Sequence, residues 1–269
     1  MVFGDVMKYA VLGSGSSGNT TYLEINGKKY LIDAGLSLKQ IDERLKKLNV
    51  TLDEISGVFI THEHIDHIAS LASIDKQFSP KIYITEGTYQ GLKLTIKKLI
   101  NPLNIVYINA GDELEIDSFK VKVIPVQHDA NDPVGYRFYY GDKSLVYITD
   151  TGYFPQNKYE EIMDANDYIF EANHEPDILL NSNRIWPLKK RILDDKGHLS
   201  NEDSAVCMCS VIGVNTKRIV LAHISRECNL PEIGILRYKE VFEKYGILFE
   251  NYEIFFASQD ENTELLEVL

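Results

Sequence analysis

Cysteine is scarce in this 269-residue sequence: only Cys207, Cys209 and Cys228 occur, too few for a disulfide framework and in keeping with a reducing, cytoplasmic setting. No apolar run approaches the ~18 residues that a membrane-spanning helix needs, so no membrane partner is expected. The opening stretch Met1–Met7 has neither a basic region nor a long apolar one, and no secretory signal is expected; Met7 would serve equally as a start, making residues 1–6 an addition. Cations are outnumbered: Lys plus Arg total 28 against 40 Asp plus Glu, a net charge of −12. That balance excludes a protein that coats nucleic acid through bulk electrostatics. Repeats, low-complexity tracts and Pro/Gly/Ser-rich linkers are also missing, so the whole chain reads as one domain. Hydrophobic residues at 44% and charged residues at 25% are ordinary globular usage, which argues against disorder.

What is present is a regular alternation of β and α patterns. Tyr9–Leu12, Thr21–Ile25 and Tyr30–Ile32 read as strands, with Asn26-Gly27 as a two-residue hairpin between the last two. Ser37 and Gln40 form a capping box that opens a helix whose stripe is Leu38, Ile41, Leu45 and Leu48. Val58–Ile60, Lys81–Ile84 and Ile105–Ile108 read as further strands, and 86–100 as a helix. Phe119–Val126 alternates cleanly, and Gly135–Tyr140 and Leu145–Ile148 flank a Gly141-Asp142 turn. The last third reads as helical with one strand, Arg218–Leu221. Helices flanking β-rich segments in both halves suggest an α/β fold of two face-to-face sheets with helices outside, a four-layer αββα sandwich.

The seven histidines are the informative count. The strand ending at Ile60 runs into Thr61-His62-Glu63-His64-Ile65-Asp66-His67, an H-x-H-x-D-H pattern with four candidate ligands in six residues. Imidazole and carboxylate suit zinc, iron or manganese. In a loop after a strand, His62 and His64 can converge on one ion while Asp66 and His67 turn toward a second. Further candidates follow β runs: His128 after Val121–Val126, Asp150 after Leu145–Ile148 and His223 after Arg218–Leu221. Asp150 would suit a carboxylate bridging two ions.

These residues, with Leu31-Ile-Asp33-Ala-Gly35, resemble the metallo-β-lactamase superfamily. The stretches Gly13–Asn19, His128-Asp-Ala-Asn-Asp-Pro-Val-Gly135, Thr149–Gly152, Glu171-Ala-Asn-His174, Leu188–Ile192 and Gly197–Asn201 are similar to its bacterial YycJ (WalJ, VicX) subfamily. Glu175 departs from that pattern, where Asp is expected, without touching the ligand set. The resemblance implies a sandwich without an inserted cap domain and a dinuclear site. His62, His64 and His128 would hold one ion and Asp66, His67 and His223 the other. Asp150 would bridge them, and Asp33 would orient ligand loops; a turn-forming role for Asp33 before Gly35 is equally open.

Two close ions can activate water at neutral pH and clamp both oxygens of a displacement, and Asp66 is placed to take a proton from the attacking water. The fold alone does not choose a substrate. Ile68-Ala-Ser70 after the motif lacks the Gly-Gly expected of glyoxalase-II-like thioesterases, and His64 stands where flavo-diiron carriers have Glu. Glu171 and His198 resemble the Glu–His proton-donating pair of tRNA 3′-processing phosphodiesterases, a pairing suited to an alkoxide leaving group. Lys189, Lys190 and Arg191 form the one dense basic run; Lys190 and Arg191 are candidate phosphate contacts, with a solvated helix face as the alternative. Ser16, Asn19, His174 and Ser225 are candidate cleft-lining residues, and Asn229 joins them. The Gly13–Asn19 loop lacks the Lys-Ser/Thr of a P-loop and reads as a tight turn bringing backbone amides toward the metals. Trp186 and Tyr153 would stack bases or belong to the core, and Cys207 and Cys209 read as core packing.

The expectation is a dinuclear Zn, Mn or Fe hydrolase of phosphodiesters, a DNA exonuclease acting on strand ends by the YycJ resemblance. A small or cyclic phosphodiesterase, or a metal-bound regulatory module allied to a two-component system, stays open as an alternative.

Overall fold

The computed structural model describes residues 6–269; of the proposed N-terminal addition, residues 1–5 lie outside the described part. One seven-stranded sheet has the order β14-β1-β2-β3-β4-β5-β6. Its strands are β1 (Met7–Gly13), β2 (Thr20–Ile25), β3 (Lys28–Ile32), β4 (Ile55–Phe59), β5 (Lys81–Thr85), β6 (Ile105–Ile108) and β14 (Leu266–Glu267). The second sheet has the order β13-β12-β11-β10-β9-β8-β7. It comprises β7 (Glu113–Ile116), β8 (Phe119–Pro125), β9 (Val134–Tyr140), β10 (Lys143–Ile148), β11 (Asp167–Glu171), β12 (Arg218–Ala222) and β13 (Glu253–Phe256). In each sheet antiparallel hairpins at one side give way to parallel pairs at the other, β3 to β6 and β10 to β13.

The layers follow from the two-residue period of the strands. In β1, Met7, Tyr9 and Val11 face the other sheet, while Ala10 and Leu12 face outward. In β12, Val220 points between the sheets and Ile219 and Leu221 point away. The outer face of the first sheet is covered by α1 (Leu38–Lys47) and α3 (Leu71–Phe78), which contribute Ile41, Leu45, Leu71 and Ile74. The outer face of the second is covered by α9 (Asn201–Val211) and α10 (Pro231–Lys244), through Met208, Val211, Tyr238 and Phe242. The expected αββα sandwich is therefore the fold, and no separate cap is inserted among the described residues.

Local sequence signals hold where they are self-contained. Asn26 and Gly27 both have positive φ, 50° and 76°, as a primed two-residue turn demands, and Ile25 pairs with Lys28. The Ser37–Gln40 capping box forms. Two expectations are corrected. Residues 86–100 are not one helix but α4 (Glu86–Gly91) and α5 (Leu94–Lys97), broken after Gly91. Gly91 weakens the last turn of α4, and the backbone turns extended at Leu92 (φ −56°, ψ 139°) and Lys93 (φ −58°, ψ 140°), which ends the helix. The last third also contains more than one strand: β13 continues the parallel run beside β12, and β14 closes the edge of β1.

Candidate metal centre

The loops that carry the candidate ligands all leave strand ends at one rim of the sandwich. His62–His67 follow β4, with α2 (Ile65–Ile68) starting inside the motif. His128 follows β8, Asp150 follows β10, Glu171 closes β11 and His223 follows β12. Two of these residues, Asp150 and His223, and Asp33 at the end of β3 have left-handed backbones, with φ of 54°, 55° and 60°. Such non-glycine conformations cost of order 1 kcal/mol each and persist where the surroundings enforce them.

The donor atoms converge as expected. His62, His64 and His128 form one group whose ligand atoms lie within 4.8 Å of one another, and Asp66, His67 and His223 form another. Asp150 joins both sides, grouped with His62 and His67 and also with Glu171, His198 and His223. Most rings are held by Nδ1. His62 Nδ1 lies 3.0 Å from Thr61 Oγ1, His67 Nδ1 lies 2.7 Å from Asp33 Oδ2, and His128 Nδ1 donates to the Gly197 carbonyl at 3.1 Å. His223 Nδ1 lies 2.9 Å from Glu171 Oε1. His64 is turned the other way, its Nδ1 facing His128 Nε2 at 3.2 Å. Fixing one ring nitrogen this way aims the other at an ion.

Buried polar atoms left without partners provide the fit test. His62 Nε2 and His223 Nε2 are buried and make no hydrogen bond, and buried Asp150 Oδ2 meets only His67 Nε2, at 3.2 Å. Such atoms are costly unless something binds them. They sit on two imidazoles and the central carboxylate, a donor set that suits a divalent transition metal.

The electrostatics agree. Burial alone would push the His67 and His223 imidazoles down. The carboxylates of Asp150, Asp33 and Asp66 instead hold His67 well above its ordinary value, and Asp150, Asp66 and Glu171 push His223 up to about 10. Burial raises the Asp150 carboxyl, but His223 and His67 outweigh it and hold it well below the usual range. His62 faces burial and the charge of His67 and is pushed well down. Four acidic and six imidazole groups in one site compete for protons that metal ions would replace.

A cavity of about 490 Å³ opens beside this cluster, lined by Ser16, His64, Asp66, His128, Asp150, His198, His223 and Ser225 among others. His198 Nδ1 lies 2.8 Å from Glu171 Oε1, so the expected pair is formed, and the same oxygen also meets His223. The second Glu171 oxygen accepts from Thr151 N at 2.7 Å. With burial opposing them, His198 and His223 hold the Glu171 carboxyl below its ordinary value. Asp33 anchors the motif: it accepts from Thr61 N at 2.9 Å while holding His67.

Several candidate contacts sit elsewhere than the cleft surface. Asn19 is fully buried and does not line the cavity; its Nδ2 lies 3.0 Å from His67 Nε2 and its Oδ1 accepts from Gly15 N at 2.8 Å. Together with Ser14, whose Oγ accepts from His223 N at 2.8 Å, it makes the Gly13–Asn19 loop a brace for ligand loops. His174 is buried with both ring nitrogens unpartnered, and its carbonyl accepts from Asn201 N at 2.9 Å, so it too stays off the cavity wall. Lys190 borders only a shallow neighbouring hollow, whereas Arg191 reaches the main cavity. Asn229 is bonded to Asn201 and the Ala172 carbonyl beneath the site. Trp186 and Tyr153 are exposed and belong to neither core nor cavity lining; Cys207 is buried under the second sheet. Glu175 is held by Arg237 and Asn201 at 2.9 and 3.1 Å. Residues not foreseen are Thr61, whose place beside the motif was its only signal, and Asn173, which donates to the His223 carbonyl at 2.6 Å. Gly197 and Asp129, within motifs quoted above but given no role there, also line the cavity, as do Arg184 and Glu227, which nothing local in the sequence marks.

A family model described as "Beta-lactamase superfamily domain" matches residues 28–224. The exodeoxyribonuclease YycJ of Bacillus anthracis is 35% identical over 249 residues, covering 92% of this chain and 94% of its own length. The exodeoxyribonuclease WalJ of Streptococcus pneumoniae serotype 2 is 36% identical over 264 residues, covering 97% and 98%. The chain belongs to the YycJ/WalJ branch of the beta-lactamase superfamily. The superfamily fold is equally plain in three dimensions. The metallo-beta-lactamase fold protein YhfI of Bacillus subtilis matches with a TM-score of 0.74 at 18% identity, over 98% of this chain and 99% of its own.

Proposed function

We propose that this chain is a metal-dependent phosphodiesterase that degrades DNA from strand ends, with two divalent zinc, manganese or iron ions at its centre. The observation that carries it is the seven-residue ligand cluster with the Glu171–His198 pair at the same cavity. The names of the two long relatives, both exodeoxyribonucleases, support DNA as substrate. The three cysteines, all free thiols, are compatible with a reducing cytoplasm.

In this reading His62, His64 and His128 hold one ion, Asp66, His67 and His223 the second, and Asp150 lies between them. When bound, the ions lower the pKa of a water and offset phosphate charge. The protein's own groups do the rest. Asp66, partly open to the cavity, accepts a proton from the attacking water. His198, its Nδ1 fixed on Glu171, turns its other nitrogen to the cavity and delivers a proton to the leaving oxygen. Glu171 keeps that ring oriented. Ser16 and Ser225 offer hydroxyls along the cavity wall.

The test is a substrate panel on the metal-loaded protein: end-labelled single- and double-stranded DNA, RNA, bis(p-nitrophenyl) phosphate, a cyclic nucleotide and nitrocefin. Stepwise shortening of DNA is expected. Turnover of nitrocefin alone would overturn the phosphodiesterase reading, and turnover of the cyclic nucleotide without DNA would overturn the exonuclease reading.

A further inference from the structure

The cavity rim carries two arginine–carboxylate pairs, one of which borders the metal cluster: Asp129 Oδ1 lies 3.4 Å from His128 Nε2 and 3.8 Å from His64 Nε2. Helix α7 (Pro176–Asn181) is followed by a turn and then α8 (Trp186–Leu193). Arg184, in that turn, gives its Nε to Glu227 Oε2 at 3.0 Å. Arg191, in the last turn of α8, gives Nε and Nη2 to the two oxygens of Asp129 at 2.5 and 3.1 Å. All four side chains line the cavity.

Each pair has one partner well open to water, Glu227 at 68% and Arg191 at 55% side-chain exposure, against 21% for Arg184 and 33% for Asp129; the single contact between Arg184 and Glu227 contributes little stability. Glu227 engages only the Nε of Arg184, which has no other side-chain partner among the described residues. The turn itself is held by other means: the Lys189 ammonium, on a largely buried side chain, donates to the Leu180 and Ser182 carbonyls at 2.6 and 2.8 Å. Arg184 is therefore presented on a braced turn rather than on a loose loop.

Between the ligand residues His64 and Asp66 stands Ile65, 58% exposed and lining the same cavity, as does Leu188. The cavity thus offers guanidinium forks and apolar surface together. A guanidinium that accepts a bidentate carboxylate accepts a phosphate in the same way. A substrate with one phosphate needs only the metal cluster. Two further forks match a ligand that carries additional phosphates spaced along a chain, with apolar sugar and base faces between them.

We propose that Arg184 and Arg191 form a phosphate-binding rim that grips the nucleotides neighbouring the scissile linkage of a single strand, with Glu227 and Asp129 occupying the forks until the strand displaces them. This rests on the phosphodiester reading above and adds its substrate contacts. The ligand class is a single-stranded polynucleotide, and the rim rather than the metal cluster separates it from an isolated phosphodiester.

The experiment is binding, read independently of cleavage. Fluorescence anisotropy of a labelled phosphorothioate oligodeoxynucleotide on the metal-loaded protein is followed across a salt series, for wild type, Arg184→Ala, Arg191→Ala and Glu227→Gln. Each arginine variant is expected to bind roughly tenfold more weakly. The slope of log affinity against log salt should become shallower by about 0.7 for each, the value of one single-strand phosphate contact. Glu227→Gln should bind more tightly, because it frees Arg184 and removes a repelling charge. The proposal is overturned if the arginine variants keep the wild-type affinity and slope, if Glu227→Gln weakens binding as Arg184→Ala does, or if the wild type does not bind the strand. Wild-type protein that binds with these arginine dependences yet never shortens DNA would support the rim and reject the exonuclease reading.

Discussion

Glu171 ties two imidazoles of the centre to the backbone beneath them. One oxygen meets both His198 and His223, at 2.8 and 2.9 Å, and the other accepts from the Thr151 backbone. Glu171→Gln keeps the shape but supplies one acceptor oxygen instead of two and places an amide donor among ring N–H groups. Metal affinity is expected to fall about 10- to 100-fold, as for other groups that orient metal ligands; competition with a chelator measures it, and an unchanged affinity would remove Glu171 from this role. His198→Ala separates proton delivery from metal binding. DNA, with its alkoxide leaving group, should lose about 10²- to 10⁴-fold in rate, whereas bis(p-nitrophenyl) phosphate, whose leaving group needs no proton, should lose far less. Equal losses on both substrates would argue against a general acid. At this scale the sequence was legible where chemistry was concentrated, in Thr61–His67. The carbonyl of Gly197 that holds His128, and the Asp129 that holds Arg191, lie 69 and 62 residues from their partners, beyond any local pattern.

At the scale of elements, the site depends on loops that approach one another without room for side chains. A Cβ on Gly35 would lie 1.6 Å from the Asp66 carbonyl oxygen and 2.7 Å from Asn19 N, both backbone atoms that cannot swing aside. Gly35→Ala is therefore expected to cost about 1–3 kcal/mol through overpacking and to displace the Asp66 loop. Thermal melting of the metal-free protein together with its metal content after reloading would show both losses, and a variant with wild-type values on each would refute the contact. The hairpin at Asn26-Gly27 and the cap at Ser37 were readable because the signal and the structure occupy the same few residues. β13 was not, since Glu253–Phe256 is short and partly exposed, and only its pairing with β12 makes it a strand. The left-handed backbones of Asp33, Asp150 and His223 likewise have no local sequence signal.

For the whole molecule, the net charge of −12 is the wrong scale on which to judge phosphate binding. The site combines two arginine forks with a cluster that would carry about +4 from two dications. It also predicts a proton balance. Without metal, His67 is held well above its ordinary value and His223 is pushed to about 10, so both are protonated at neutral pH. Both must be neutral to act as ligands, while Asp66 and Asp150, held low, have no proton to give. Metal loading at pH 7 should therefore release about two protons per chain. Calorimetry in buffers of different ionisation enthalpy would count them, and metal binding without proton release would contradict the arrangement. The same two imidazoliums stabilise the metal-free fold at neutral pH. That contribution should fade as pH rises toward 10, visible as a falling melting temperature.

The seven-residue cluster is proposed as a two-ion centre for cleaving DNA ends. The most direct measurement titrates metal-stripped protein with Mn²⁺ or Zn²⁺ and follows both bound metal and nucleotide release from end-labelled DNA. Release should appear with metal and level off at about two ions per chain. Full nucleotide release by the chelator-treated protein, or no release at any metal loading, would contradict it.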